Sequence, residues 1–354
     1  MSGGVDSSVA AALLLKQGYE VIGVTMQIWP SDLPYGEEVE GGCCSLGAVE
    51  DARAVAGKLG IPYYVLNFQA PFREKVIDYF VAEYLQGRTP NPCIVCNHSL
   101  KFDNLLEKSL SLGGDFIATG HYVQKDQDLN TGRWLLRKGI DGTKDQSYVL
   151  YGLKQAQLAR SLFPLGGYEK TAIRKIAAEI GLRVADKPDS QEICFIPDQD
   201  YGRFINEYSP GSVKPGTIVD PEGHVLGRHQ GISNFTIGQR KGLGIATGTP
   251  LFVTEIRPET NEVVVGTKEG VFSKGLLASK INWIAFDTLN SPQEVEVKIR
   301  YSAKPVLAIA TPVGPDQVKI EFQNPQPAVT PGQAVVFYRS DLMLGGGTID
   351  KSFH

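Results

Sequence analysis

The run Ser2-Gly3-Gly4-Val5-Asp6-Ser7, with an apolar-periodic helix from Ser8 to Lys16 straight after it, constrains this chain more than any other feature. Consecutive glycines let the backbone approach an anion without interference from Cβ atoms. A helix that follows at once offers N–H groups with no partner inside the helix. The serine hydroxyls add donors, and Val9, Leu13 and Leu14 give the helix a face to bury. Such a unit is a phosphate trap. It lacks the Gly-Lys-Ser/Thr of a Walker loop, so phosphoryl transfer is a poor match.

Strand-like and helix-like segments alternate through the first half. Val21–Ile28 is a short apolar run of the kind buried on both faces of a parallel sheet, and a Pro/Gly/Glu-rich loop covers 29–42. The spacing predicts a helix over 49–59, a strand over 61–66, a helix over 72–85 and a buried strand over 115–121. This alternation predicts an α/β fold with a doubly wound parallel sheet and its ligands at the carboxyl ends of the strands. Only Met1 precedes the loop, where such a sheet would feed in a strand; we read the start as clipped or misassigned. Beyond residue 199 the pattern changes. Residues 211–248 are dense in Gly, Pro, Asp and Asn, with a turn at Asp220-Pro221-Glu222-Gly223 and local basic charge from Arg228, His229, Arg240 and Lys241. Short alternating strands over 294–301, 306–311, 317–322 and 334–338 then predict a closed β-barrel. The expected division is 1–199 for the nucleotide domain, 200–273 for a small β-rich domain and 274–354 for the barrel.

Composition narrows the setting. Of the 354 residues 42% are hydrophobic and 21% charged, and no apolar run is long enough to span a bilayer. No signal peptide is visible. Five cysteines in a chain of this size do not form a secreted disulfide framework, which points to a reducing compartment and to reactive or metal-bound thiols. A net charge of −4 requires any RNA partner to be met by local patches. Cys93 and Cys96 make a C-x-x-C pair in a Pro/Asn-rich stretch, 87–98, that reads as a loop, and Cys194 lies far downstream within Asp189–Pro197. The pair alone fits a redox dithiol, half of a zinc site or part of an iron–sulfur site. A four-thiolate zinc site would need a second spaced pair, and the adjacent Cys43 and Cys44 lack that spacing.

The motifs carry the reading further. The first loop resembles the pyrophosphatase loop of enzymes that split ATP into AMP and pyrophosphate. SGGVDSS, the Gly87–Phe102 stretch with its GRTPNP and CNHSLKF, ATGHY from Ala118, KDQSYVLY from Lys144, KPDSQEICFI from Lys187, GLGI from Gly242 and TPGQAVVFY from Thr330 occur in order. Together they resemble the tRNA-specific 2-thiouridylase family across nearly the whole chain. The resemblance implies ATP-dependent replacement of O2 by sulfur in the wobble uridine of tRNA, with ATP and Mg²⁺ as cofactors. Ser2, Gly3, Gly4, Val5, Asp6 and Ser7 would hold the phosphates, with Met26 and Gly120 beside the adenosine. Cys194 would carry a persulfide loaded by a sulfur-relay protein, and Cys96 would be its partner thiol, leaving a Cys96–Cys194 disulfide to be reduced. Asn91-Pro92-Cys93 matches a triplet that meets the target base, although many members have Asp where this chain has Cys93. That departure leaves a second route, in which Cys93, Cys96 and Cys194 hold an iron–sulfur cluster that binds sulfide. Contacts to tRNA are implied for His121, Lys144, Asp145, Gln146, Arg300, Tyr301 and Gln333, and an elongation-factor-like barrel for the C-terminal part. Two other classes share some of these features: a small-molecule synthetase of the ATP-pyrophosphatase type, and a tRNA-binding protein without activity. Formation of AMP that depends on tRNA, on an amino acid, or not at all separates the three.

Overall fold

The computed structural model describes residues 1–30, 46–188, 193–245 and 248–354. Most of the expected 29–42 loop, Cys43 and Cys44, and residues 189–192 of the Cys194 motif lie outside the described residues. Packing divides the chain into two compact units. One comprises 1–77, 93–199 and 341–343; the other comprises 78–92, 200–340 and 344–354.

In the first unit, helix α1 (Val5–Lys16) begins at Val5 rather than Ser8, because Gly4 is already extended and turns the chain directly into the helix. Strand β1 (Gly23–Gln27), helix α2 (Leu46–Leu59) and strand β2 (Tyr63–Asn67) follow, and β1 and β2 pair in parallel with Met26 opposite Leu66. Helix α3 (Gln69–Phe72) passes through a π turn, Arg73–Ile77, into α4 (Asp78–Leu85), whose residues belong to the second unit. The stretch expected to be a loop around the cysteine pair is helical: α5 (Pro92–Val95) runs into a π-helical segment, Cys96–Leu105, and then α6 (Leu106–Ser111). Pro92 opens this helix instead of marking a loop. At a first helical position its missing N–H has no partner to lose and its fixed φ suits the helix.

The strand expected over 115–121 shortens to β3 (Ile117–Ala118). An antiparallel hairpin that the sequence reading missed, β4 (Val123–Gln127) and β5 (Trp134–Lys138), comes next, followed by α7 (Gln155–Ala159), β6 (Ser161–Leu162) and α8 (Lys170–Glu179). β3 and β6 pair in parallel, so the parallel α/β character rests on the pairs β1–β2 and β3–β6. The core around the first loop is built on α1. Val5, Val9, Ala10 and Leu13 pack with Val55 of α2, Ile173 and Ala177 of α8, and Tyr122. This apolar seam, with Val9 and Ile173 wholly buried, fixes the height and rotation of α1 and therefore of its N-terminus.

In the second unit, α9 (Tyr201–Tyr208) sets Phe204 and Tyr201 edge-on to Phe80 of α4, at ring distances of 6.3 and 6.1 Å. A four-stranded sheet combines β7 (Gly216–Val219), β8 (Val225–His229), β9 (Phe252–Arg257) and β10 (Glu262–Gly266) over its own apolar core. The barrel follows: β11 (Phe272–Trp283), β12 (Gln293–Lys298), β13 (Val306–Gly314), β14 (Gln317–Pro327), β15 (Ala334–Arg339) and β16 (Leu342–Phe353). Its neighbours run β11-β14-β13-β12-β15-β16, and β11 also pairs with β16, which closes the ring of six. Val295 and Val297 point inward while Glu294 is exposed, the alternation expected of a barrel strand.

Candidate active site

The turn of the first loop depends on Gly3, whose φ of 66° lies in the left-handed region and whose Cα faces the Ala48 carbonyl at the start of α2. Ser7 knits the turn. Its hydroxyl accepts from the Ser2 N–H at 3.1 Å, lies 3.2 Å from the Ser2 hydroxyl and donates to the Gly4 carbonyl at 3.3 Å. The Ser8 hydroxyl donates to the same carbonyl at 2.8 Å. Beneath the turn the Met1 amino group donates to the Val24 carbonyl, and the Thr25 hydroxyl donates to the Met1 carbonyl at 2.7 Å. The loop is thereby tied to β1, where Met26 sits half-buried.

Among the described residues no side chain caps α1, whose N-cap is Gly4. Its first N–H groups therefore keep the positive end of the helix open to an anion. Gly120 lies directly against this end: a Cβ there would come within 2.8 Å of the Ser7 nitrogen and of the Asp6 carbonyl carbon. That approach explains why β3 is short, because the chain must leave the strand for Gly120 to reach α1. The loop residues and Gly120 are thus brought together, and they fit a nucleotide's phosphates by their donor set. Asp6 is held by side chains from outside the loop. Its carboxylate accepts from the Tyr122 hydroxyl at 2.7 Å, and the Lys170 ammonium meets both its oxygens at 2.8 Å. The sequence reading missed Tyr122 and Lys170. Tyr122 stood inside a motif taken for its neighbours, and a lysine at the head of an amphipathic helix reads as solvated.

The thiols occupy the same unit. Cys93 is exposed, and Cys96 and Cys194 are half-buried. Cys194 sits in a turn whose next residues, Phe195 and Ile196, are wholly buried. Phe195 is set edge-on to Phe72 of α3 at a ring distance of 5.7 Å. The helical run that carries Phe72 also packs on the Cys96–Leu105 segment, where Lys75 donates to the Asn104 side chain at 2.9 Å. The segments bearing Cys96 and Cys194 therefore lean on one helix. Among the described residues no group of three or more His, Cys, Asp or Glu side chains is gathered to hold a metal ion. Cys93, Cys96 and Cys194 do not form a three-thiolate cradle in this arrangement.

The residues expected to touch tRNA differ in what the structure leaves them to do. His121 is buried, its Nδ1 2.8 Å from the Thr119 hydroxyl. Burial first, and the charge of Lys101 second, push its pKa well below the ordinary 6.5. Asp145 accepts from the Gly139 and Ser147 N–H groups and from the Ser147 hydroxyl, which makes it a turn organiser. Gln146 clamps Tyr122 from both sides: its side chain accepts from the Tyr122 N–H at 3.0 Å, and its own N–H donates to the Tyr122 carbonyl at 3.1 Å. Lys144 is half-buried. In the second unit, Arg300 donates to the Pro327 carbonyl at 3.3 Å, and Gln333 donates to the Thr89 carbonyl at 2.8 Å, just ahead of Asn91 and Pro92. Tyr301 is exposed, with the Lys298 ammonium 5.6 Å from its ring.

Comparison with known proteins covers nearly the whole chain. Residues 1–198 match the tRNA methyl transferase HUP domain, 202–267 the tRNA methyl transferase PRC-barrel domain, and 273–349 the aminomethyltransferase β-barrel domain. The tRNA-specific 2-thiouridylase MnmA of Heliobacterium modesticaldum is 59% identical over 354 residues, 99% of this chain and 91% of that protein. The protein of the same name from Carboxydothermus hydrogenoformans is 58% identical over 351 residues, 99% of this chain and 96% of its own. One from Clostridium botulinum is 57% identical over 353 residues, 99% of this chain and 98% of its own. Among solved structures, the U34-tRNA thiolase NcsA from Methanococcus maripaludis with its [4Fe-4S] cluster aligns at a TM-score of 0.33 and 19% identity, covering 60% of this chain and 65% of that one. So slight a likeness has no bearing on the site.

Proposed function

Because the chain belongs to the tRNA-specific 2-thiouridylase family, we propose that its uncapped glycine loop and its cysteines serve one reaction: adenylation of O2 of the wobble uridine by ATP and replacement of that oxygen by sulfur. The protein is an ATP-dependent tRNA-uridine 2-sulfurtransferase. Oxide does not leave a uracil carbonyl, whereas AMP does, so ATP supplies the leaving group. Ser2, Gly3, Gly4, Val5 and Ser7 receive the phosphates, with Asp6 in the same turn held by Tyr122 and Lys170; Mg²⁺ offsets the phosphate charge, and Met26 and Gly120 flank the adenosine. What supports this reading most is that the phosphate loop, Gly120, Cys96 and Cys194 all belong to one compact unit.

The sulfur route follows from thiol chemistry. A cytoplasmic sulfur-relay protein loads Cys194 as a persulfide, whose outer sulfur attacks C2 of the adenylated base and expels AMP. The Cys96 thiolate then attacks the Cys194 sulfur, the 2-thiouridine leaves with the outer sulfur, and a Cys96–Cys194 disulfide remains for a thiol reductant. Cys93 stands beside the base in the Asn91-Pro92-Cys93 triplet. A cluster-based route has no gathered ligand set among the described residues. Contacts to tRNA come, within the first unit, from Lys144 and Gln146 with His121 and Asp145 ordering the chain beside them and, within the second unit taken by itself, from Arg300, Tyr301 and Gln333. The division at 199 and 273 separates chemistry from grip. Two of the matching family descriptions speak of methyl transfer. That chemistry has no use for an AMP-forming loop or a thiol pair.

Mass spectrometry of the wobble nucleoside, after incubating tRNA with the protein, ATP and a sulfur source, tests the reading. It should show 2-thiouridine with the wild-type chain and unmodified uridine with Cys194→Ser. A methylated nucleoside, or thiolation by Cys194→Ser, would overturn it.

A further inference from the structure

Lys170 breaks two local preferences at once. It is the first residue of α8, where a helix end disfavours a cation, and its side chain is only 10% exposed. The position is nevertheless well made. The Lys170 N–H donates to the Asp141 carboxylate at 3.0 Å, which caps α8, and Ile173 and Ala177 of the same helix lock it against α1. The side chain crosses to α1, where its ammonium meets both oxygens of Asp6 at 2.8 Å and lies 5.7 Å from the ring of Tyr122. Tyr122 supplies the second hold on Asp6, and its backbone is itself clamped by Gln146.

This arrangement answers a problem that the phosphate loop poses. A carboxylate in the first turn of a helix ordinarily swings to the open N–H groups and is stabilised there by the helix dipole. In this loop such a swing would fill the anion site with the protein's own charge and set a negative group against a triphosphate. Among the described residues Asp6 instead accepts from the Tyr122 hydroxyl and the Lys170 ammonium and from no N–H of the turn, and its charge is matched by a cation. We propose that Lys170 is a positioning residue of the nucleotide site: it holds and neutralises Asp6, so that the first turn of α1 accepts ATP rather than its own side chain. The role rests on the ATP-binding reading above.

The test is the affinity of the full chain for α,β-methylene-ATP, which cannot be split at the bond this enzyme cuts, measured by titration calorimetry with and without Mg²⁺. Wild type, Lys170→Met, Asp6→Asn and the double variant form a cycle. Lys170→Met should weaken binding about tenfold or more, most strongly without Mg²⁺, because the unmatched carboxylate competes with phosphate. In the Asp6→Asn background the same substitution should change affinity less than about twofold, since no charge is left to hold. An equal loss in both backgrounds, or no loss beside wild type, overturns the role of Lys170. A wild-type chain that binds no analogue overturns the nucleotide reading and the role of Lys170 with it. Should circular dichroism show that Lys170→Met does not fold, Tyr122→Phe replaces it. Losing one hold on Asp6 without a change of charge should weaken binding about threefold, and only when Asp6 is present; unchanged binding overturns the role.

Discussion

At the scale of single residues, the site is set by what has no room to change. An alanine at Gly120 would drive its methyl into the backbone at Asp6 and Ser7, both fixed by the buried seam of α1. Gly120→Ala is expected to cost about 1–3 kcal/mol of stability, the usual result of overpacking a tight contact. It should also lower nucleotide affinity by more than it lowers tRNA affinity. Denaturant melts and nucleotide titration check both, and equal effects on the two ligands would contradict the placement. His121 gives a pH-dependent outcome. Its pKa is depressed by burial in the folded chain, so below the ordinary value of 6.5 the unfolded chain binds more protons and stability falls with pH. His121→Gln should therefore lose less of its denaturation midpoint than wild type between about pH 7.5 and about pH 5.5; identical losses would contradict a buried neutral imidazole. His98 and His229, also pushed down by burial, act in the same direction in both proteins. Gly3 and the loop were legible from the sequence because close approach to an anion demands glycine. The Asp6–Lys170 pair was not, because nothing local links residues so far apart in the chain.

At the scale of elements, helices and strands with strong periodicity were readable, and the exceptions have physical causes. Pro92 was read as part of a loop although it initiates α5, since the meaning of a proline depends on whether a helix follows or precedes it. The β4–β5 hairpin was overlooked even though its turn carries a signal: Asp128 accepts from the Asn130 N–H at 2.8 Å within an Asp-Leu-Asn-Thr-Gly run. The turn bearing Cys194 is closed by the Ile196 N–H donating to the Ile193 carbonyl at 3.0 Å and anchored by long-range packing, which sequence patterns do not reveal. Phe195→Ala removes the buried ring that rests on Phe72 and is expected to cost about 3–5 kcal/mol. Thiolation should fall steeply in that variant while nucleotide binding at α1 persists at temperatures where the chain remains folded. Cys194→Ser should abolish thiolation with its melting midpoint near that of wild type. Full thiolation by Phe195→Ala would show that Cys194 needs no such anchor.

For the whole molecule, a net charge of −4 leaves any hold on RNA to local basic patches. The barrel was legible because short alternating strands have few other ways to hide their edges, while the ring order and its closure through β11 and β16 had to come from the structure. The central claim is that the AMP-forming loop and the sulfur of Cys194 act on the same uridine. The most direct measurement is a single turnover: protein loaded with radiolabelled sulfur on Cys194, freed of excess donor, is mixed with tRNA and ATP, and AMP and labelled 2-thiouridine are counted together. They should appear one for one, and neither should form without tRNA. Labelled 2-thiouridine formed without ATP, or AMP formed with tRNA while the label stays on the protein, would contradict it.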